Sequence, residues 1–327
     1  MRDDCALVRR LAMACAVVFA MHALDAAAQA YPVKPVRLIV GVQPGGNLDT
    51  VGRAVAQGLS DAFGQRVLVE NRPGANAAIG AQHVAKSAPD GYTLLMMAST
   101  LTNAPSLVRN IAYDVARDFT GVSLVAYIPQ VLVVHPSLPA RSVRELIAFA
   151  KAQGGKLNYA SSGLGSGSYM AMELFKRQAG ISLLRIGYNG DAPALVDLIG
   201  GHVPVKFDNF TTSIPHVRSG RLRPLGVTSP KPSALLPGVP PIGETLPGFE
   251  ASIYNGVVAP AATPREVVAR LHGEIAKIVQ IPEVRSQFAQ QGVDLQSSPS
   301  PEHFTAFLKS ETARAAKVLQ DAGIKPE

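Results

Sequence analysis

Two glycine-rich loops of this 327-residue chain have the residue types and positions needed to bind an anion. The first, Gln43-Pro44-Gly45-Gly46, separates an apolar run at residues 36–42, which predicts a strand buried on both faces, from a helix pattern that begins near Asp49. The second is the Gly/Ser segment 161–168, again between a short strand and a helix pattern. Backbone N–H groups and the positive end of a helix meet at such loops, which therefore suit a carboxylate or phosphate. The repeated unit predicts two similar lobes facing one ligand.

The residues predicted to bind the ligand lie in these loops and at the ends of the neighbouring strands. For Asp49 the alternative is an N-cap of the helix, and for the Gly/Ser loop it is a flexible linker. The predicted ligand-binding residues are Gln43, Pro44, Gly45, Gly46, Asp49, Ser99, Thr100, Asn103, Ser161, Ser162, Gly165, Ser166, Tyr169, Tyr188, Asn189, Gly190, Asp208 and Asn209.

Sequence patterns for catalysis are absent. No serine has the flanking glycines of a nucleophile elbow, and no HExxH, CxxC or Walker loop occurs. Residues 163–168, GLGSGS, resemble a dinucleotide-binding fingerprint but lack its last glycine. The histidines are scattered, so no metal site is expected. We therefore predict a protein that is not an enzyme and has no cofactor or metal; a secreted hydrolase is the weaker alternative.

Composition and charge narrow the class of protein further. The net charge is +7, but the basic residues are scattered and aromatic residues make up only 6% of the chain, which argues against nucleic-acid binding. Both cysteines, Cys5 and Cys15, fall in the first thirty residues. The rest of the chain must therefore be stabilised by core burial alone, which this length allows.

The first thirty residues have the pattern of a secretory signal peptide. Arg9 and Arg10 precede an apolar run at residues 11–24, and Ala28-Gln29-Ala30 forms a cleavage site. The run is shorter than the roughly 20 apolar residues of a membrane span, which disfavours an anchor. We predict export to the periplasm with cleavage after Ala30.

Alternating strand and helix patterns predict an α/β fold of two doubly wound lobes with a ligand cleft between them. A βαβαβ pattern ends at residue 98, with an alanine-rich helix at 75–86 and a polar loop after the third strand. Apolar strands at 122–135 and 251–259 are predicted to cross between the lobes, and the proline-rich segment 230–247 to be an extended surface connection. Thr263, Pro264 and Glu266 predict a capping box. The predicted domains are a signal peptide at 1–30, one lobe at 31–128 and 252–327, and the other at 129–251.

A series of motifs in consistent order resembles a known family. They are YPVKPVRLIV, PGGNLD, GQRVLVENRPGA, PDGYTLL, LNYASSGLGS, GGHVPVKFDN, SGRLRPLGVTS and PGFE. They are similar to the Bug-type extracytoplasmic solute receptors, the TctC-like components of tripartite tricarboxylate transporters. The resemblance implies a periplasmic-binding-protein-like fold, a small carboxylate ligand, membrane transporter subunits as partners and a monomer. A sensor for a membrane signalling protein is the alternative.

Three positions depart from the residues common in that family. Tyr169 stands in place of a usual His, Asn189 in place of a Lys, and Tyr254 in place of a Trp. We expect all three to lie at or near the cleft, so the ligand does not follow from the resemblance.

Overall fold

The computed structural model describes residues 31–188, 190–324 and residue 326. The predicted signal peptide at 1–30 and Asn189 lie outside these residues. The strands are β1 Val36–Val40, β2 Val67–Asn71, β3 Thr93–Ala98, β4 Phe119–Val134, β5 Asn158–Ser161, β6 Leu184–Gly187, β7 Val205–Asn209, β8 Arg223–Val227, β9 Ser252–Pro260 and β10 Asp294–Leu295. The helices are α1 Asn47–Phe63, α2 Ala78–Ala85, α3 Thr100–Asn103, α4 Val115–Asp118, α5 Val143–Ala152, α6 Gly167–Ala179, α7 Asp191–Ile199, α8 Phe210–Arg218, α9 Arg265–Ile278, α10 Pro282–Ala289 and α11 Pro301–Asp321. Short 3-10 turns occupy Ala104–Ser106 and Ile242–Glu244.

The first lobe contains the predicted βαβαβ unit. β1 lies between β2 and β3 and is parallel to both, so the loops that follow β1 and β3 open at the same edge of the sheet. β9 is antiparallel to both β3 and β4, and β10 completes the sheet on the other side of β4. Side chains of β1 alternate between a core under α1 and α9 and a core under α2 and α11.

β4 is the strand that joins the lobes. Its first part pairs with β9, and its last five residues pair with β7 on one edge and β8 on the other. β5 and β6 form a parallel pair that packs beside β7. The second lobe has its own core, centred on the stacked rings of Phe207 and Phe249, against which Phe175 packs edge-on. The α/β fold with two lobes is therefore as predicted.

The termini of several elements differ from the sequence prediction. β1 ends at Val40, two residues earlier than predicted; it is buried on both faces as predicted, except that Arg37 is exposed. The helix predicted over 75–86 begins only at Ala78, because Ala75, Asn76 and Ala77 all have positive φ. β7 continues through Asp208 and Asn209, and the residues after β3 form the short helix α3 instead of a loop.

The capping box predicted at Thr263 is wrong. α9 begins at Arg265, and Pro264 before it has extended backbone with ψ of 138°. The Thr263 hydroxyl donates to the carbonyl oxygen of Pro260 at 2.8 Å, so it closes the turn after β9 and does not cap the helix. The proline-rich segment is not purely a surface connection either, because Leu236 and Ile242 are buried.

Two kinds of feature are absent from the part of the chain that the structure describes. None of the described helices combines the length and the apolarity that crossing a membrane requires. Within the same part of the chain, no group of three or more His, Cys, Asp or Glu side chains could hold a metal ion.

Candidate functional site

The first glycine loop lies exposed at the amino end of α1. Gln43, Pro44, Gly45 and Gly46 are all exposed, and a Cβ atom placed on Gly45 or Gly46 would meet no heavy atom within 4 Å. Gly46 is the N-cap of α1 and makes no side-chain capping bond. The N-cap residue therefore supplies no side-chain acceptor to the first amides of this helix, which lack intrahelical partners.

The alternative prediction, that Asp49 is the N-cap of α1, is wrong, because Gly46 holds that position. Asp49 instead stabilises the glycine loop through its carboxylate. It is the third residue of the helix, and its carboxylate accepts hydrogen bonds from the Gly45 N–H at 3.0 Å, from Arg53 at 2.9 Å and from Asn71 at 2.8 Å. Burial opposes ionisation of Asp49, but these three bonds outweigh it and lower its pKa to about 2. The Asp49 carboxylate is therefore ionised, and its hydrogen bonds fix the conformation of the loop.

The second glycine loop leads into α6, and Ser166 is its N-cap. The Ser166 hydroxyl accepts from the Tyr169 N–H at 3.2 Å and donates to the Gly163 carbonyl oxygen at 2.8 Å. The Ser162 and Ser168 hydroxyls bond each other at 2.7 Å, and buried Ser161 bonds within the same loop. The segment is therefore an ordered cap, not a flexible linker, and its hydroxyls are largely satisfied internally.

The loop after β6 packs against this cap. The Tyr188 N–H donates to the Ser161 carbonyl oxygen at 2.9 Å, and the Gly190 N–H donates to that of Ser162 at 3.1 Å. Gly190 is the N-cap of α7 and makes no side-chain capping bond. Burial and the hydrogen bond that Tyr188 donates to Asp197 raise the pKa of Tyr188 to about 12, so this phenol is neutral.

Asp208 and Asn209, at the end of β7, have different surroundings. Asp208 is fully buried and accepts from Lys206, Thr212 and Ser213. Burial alone would lower the pKa of Lys206, but the Asp208 and Asp191 carboxylates raise it, so the ammonium group stays charged. Asn209 is the N-cap of α8 but makes no capping bond, and its buried Oδ1 has no partner among the described residues.

The loops of the two lobes touch each other. Buried Asn103 donates its Nδ2–H to the Gly165 carbonyl oxygen at 3.1 Å, and Asn76 donates to that of Leu164 at 3.2 Å. Ser99 is buried beside them, and its carbonyl oxygen accepts from the Asn103 N–H, while Thr100 is half-buried at the start of α3. The structure therefore brings the loops after β3 and β5 together across the cleft.

Tyr169 and Tyr254 are both buried. Tyr169 is buried in an apolar cluster with Leu107 and Leu319, and the Arg185 guanidinium carbon is 5.6 Å from its ring centroid. Tyr254 bonds Thr102, packs on Phe307 of α11 and borders a cavity of about 60 Å³ that Ser99, Asn103 and Gly167 also line. The substitution of Tyr for Trp at 254 thus concerns the α11 side of the sheet.

Three polar residues at this cleft were not predicted from the sequence. Asn76 bridges the lobes, and buried Gln130 and Asn255 lie on β4 and β9. Each of the last two is the single carboxamide in a mostly apolar strand, which is the signal that could have found them.

Comparison with known proteins places the chain in a family. The profile of the tripartite tricarboxylate transporter family receptor, TctC, matches residues 51–324. The protein BugT of Bordetella pertussis is 38% identical over 306 residues, which cover 93% of this chain and 94% of BugT. The chain belongs to the TctC family. It is a periplasmic solute-binding receptor of the TctC/Bug type.

Solved structures of relatives have the same fold. R. palustris Rpa4515 with adipate superposes with a TM-score of 0.79 at 35% identity and covers 91% of this chain and 100% of its own. MatC from Rhodopseudomonas palustris with bound malate has a TM-score of 0.75 at 28% identity, covering 88% and 100%. Both neighbours hold small carboxylates.

Proposed function

We propose that the mature protein binds a small carboxylate between its two lobes and delivers it to the membrane subunits of a tripartite tricarboxylate-type transporter. One observation carries the proposal: helices of both lobes have amino ends without side-chain caps. These are α1 in one lobe and α7 and α8 in the other, and loops of the two lobes are in contact across the cleft. Family membership and the adipate and malate held by Rpa4515 and MatC support the choice of ligand class.

Backbone groups supply the positive potential in this proposal. The glycine loops contain no Lys or Arg, and Arg53 and Lys206 are paired with carboxylates. The amino end of a helix carries the equivalent of about half a positive charge, and its first N–H groups lack intrahelical partners. A carboxylate oxygen that accepts from such groups forms short, charge-assisted bonds, provided that no side chain keeps it away.

Export, domain division and motion complete the proposal. Residues 1–30 are removed, residues 31–128 with 252–327 form one lobe, and residues 129–251 form the other. The lobes close on the ligand by hinge motion where β4 passes between them. The receptor acts as a monomer and has no catalytic activity.

Gly46→Val tests the site directly. Gly46 has φ of −80° and open space at its Cβ position, so the variant should fold, while its side chain would cover the first amides of α1. Gly273→Val is the matched control, because its Cβ position is equally open and it lies within another helix, α9. Malate and adipate are the probes in calorimetry and thermal unfolding; a ligand at 100 times its Kd should stabilise the protein by roughly 2.7 kcal/mol.

We expect the control to bind as the unsubstituted protein does and Gly46→Val to lose at least tenfold in affinity. Equal affinity of the two variants for a bound acid would contradict the site at α1. No binding of either acid or of further carboxylates to the unsubstituted protein would contradict the receptor function.

A further inference from the structure

Two carboxamides at the cleft carry acceptors that nothing in the described part of the chain satisfies. Asn255 is only 1% exposed, and its Oδ1 has no hydrogen-bond partner there. The Oδ1 of Asn209 is buried and unpartnered in the same way. Since the great majority of buried polar atoms in proteins are paired, each unpaired acceptor calls for a specific partner.

Asn255 lies on the face of β9 that looks toward α1. The neighbouring Tyr254 points to α11, and because side chains alternate along a strand, Asn255 points to the opposite face with Ile253 and Val257. Its cross-strand neighbours are Ala98 on β3 and Ala126 on β4, whose side chains offer the carboxamide no hydrogen-bond partner.

The start of α6 lies against a neighbour of each carboxamide. A Cβ atom on Gly167 would come within 2.6 Å of Ile253, the next residue along the Asn255 face, and within 3.6 Å of Gln130 Oε1. Gln130 in turn pairs with Asn209 across β4 and β7, so those two side chains share a face of the sheet. Asn255 and Asn209, one from each lobe, are therefore each next to a residue that lies against the amino end of α6.

The chemistry of a carboxamide limits which ligand groups can satisfy its unpaired oxygen. Its oxygen accepts and its nitrogen donates, whereas an ionised carboxylate only accepts. A ligand carboxylate can therefore bond the nitrogen but leaves the oxygen unpaired. The nearby serine hydroxyls do not supply the missing donor, because Ser162, Ser166 and Ser168 bond within their own loop.

We propose that the ligand carries at least one hydroxyl or amino group besides its carboxylate, and that Asn255 and Asn209 accept hydrogen bonds from it. This inference rests on the proposed receptor function and names the ligand class more narrowly. Substituted acids of the hydroxy- or amino-carboxylate type are the expected ligands, and unsubstituted di- or monocarboxylates are weak ones.

Paired acids that differ by one donor group test the inference in calorimetry on the mature protein. The pairs are succinate and malate, glutarate and glutamate, and benzoate and 4-hydroxybenzoate. In each pair that binds, the acid with the donor should bind about 5- to 100-fold more tightly, since the acid without it leaves a buried acceptor unpaired. Equal affinities, or tighter binding of the unsubstituted acid, would overturn the inference and leave the receptor function standing. No binding in any pair would count against both.

Variants of Asn255 separate binding from structure. Asn255→Leu should reduce the advantage of the donor-bearing acid to less than threefold and raise the unfolding temperature, because an apolar side chain replaces a buried unpaired polar group. Asn255→Ala repeats the test with a side chain small enough to fit. Asn158→Ala is the control, because Asn158 is half-buried at the end of β5 away from the glycine loop. A preserved donor advantage in both Asn255 variants would assign the donor group to other residues.

Discussion

The Asn103 Nδ2 donates to the Gly165 carbonyl oxygen at 3.1 Å, which attaches the second glycine loop of one lobe to helix α3 of the other. Gly165 has φ of 73°, and a Cβ atom there would lie 2.8 Å from Leu107 Cδ1. Only glycine permits both this backbone conformation and the close approach. The contact thus depends on one residue from each lobe.

Removing this contact should weaken the closed form. Asn103→Ala loses one hydrogen bond, worth about 0.5–1.5 kcal/mol, so we expect a two- to twelvefold loss of ligand affinity. Solution scattering without ligand should show a larger radius of gyration than for the unsubstituted protein. Asn158→Ala is again the control. An unchanged affinity together with an unchanged scattering curve would show that Asn103 does not hold the lobes together.

Ser166→Ala is expected to affect stability first. Ser166 caps α6 as Ser142 caps α5, each accepting from the N–H three residues ahead. Each alanine variant should lower the free energy of unfolding by about 1 kcal/mol in urea titrations. If Ser166→Ala also lowers ligand affinity while Ser142→Ala does not, the cap orients the loop for binding; equal affinities would limit Ser166 to a structural role.

The sequence sufficed for the fold because its periodic patterns extend over whole elements. The βαβαβ unit, the long strand β4 and the glycine loops are local signals, and the two-lobe arrangement follows from them. Details that depend on tertiary partners could not be predicted. Thr263 carries a capping signature, yet its hydroxyl bonds Pro260 because β9 ends there.

The same limit applies to the site. Positions of glycines and serines predicted where the loops would be, but the sequence does not tell which hydroxyls are already used. Ser166, one of the predicted ligand-binding residues, is also the N-cap of α6. Asn255 is the single carboxamide of its strand, and only the sheet shows which way it faces. Which of the predicted residues contact the ligand stays a prediction.

Asp49 should make stability depend on pH in the acid range. Its ordinary pKa of 3.8 is lowered to about 2 in the folded protein, so its stabilising contribution is complete above pH 3.8 and disappears as the pH falls toward 2. Asp49→Asn should reduce the free energy of unfolding by about 1–2 kcal/mol at pH 6 and flatten its decline between pH 4 and 2. Asp61→Asn, on the exposed face of the same helix, is the control; equal pH profiles of the two variants would contradict the assignment.

Lys206 should be among the most costly side chains to replace. It is fully buried, and its ammonium group bonds Asp208, the Phe207 carbonyl oxygen and Asp191, of which Asp208 is also fully buried. Lys206→Met leaves the Asp208 carboxylate buried without its cation, and such losses cost about 3–5 kcal/mol.

A second substitution distinguishes lost charge pairing from poor packing of the methionine. In Lys206→Met with Asp208→Asn, the buried position 208 is neutral and still offers an oxygen to the Thr212 and Ser213 hydroxyls. The double variant should therefore regain at least half of the stability lost by Lys206→Met, measured by urea unfolding at pH 7. A double variant as unstable as the single one would mean that packing around residue 206, and not the unpaired carboxylate, accounts for the loss. Asp191, with 41% of its side chain exposed, can be hydrated in both variants and should contribute little to the difference.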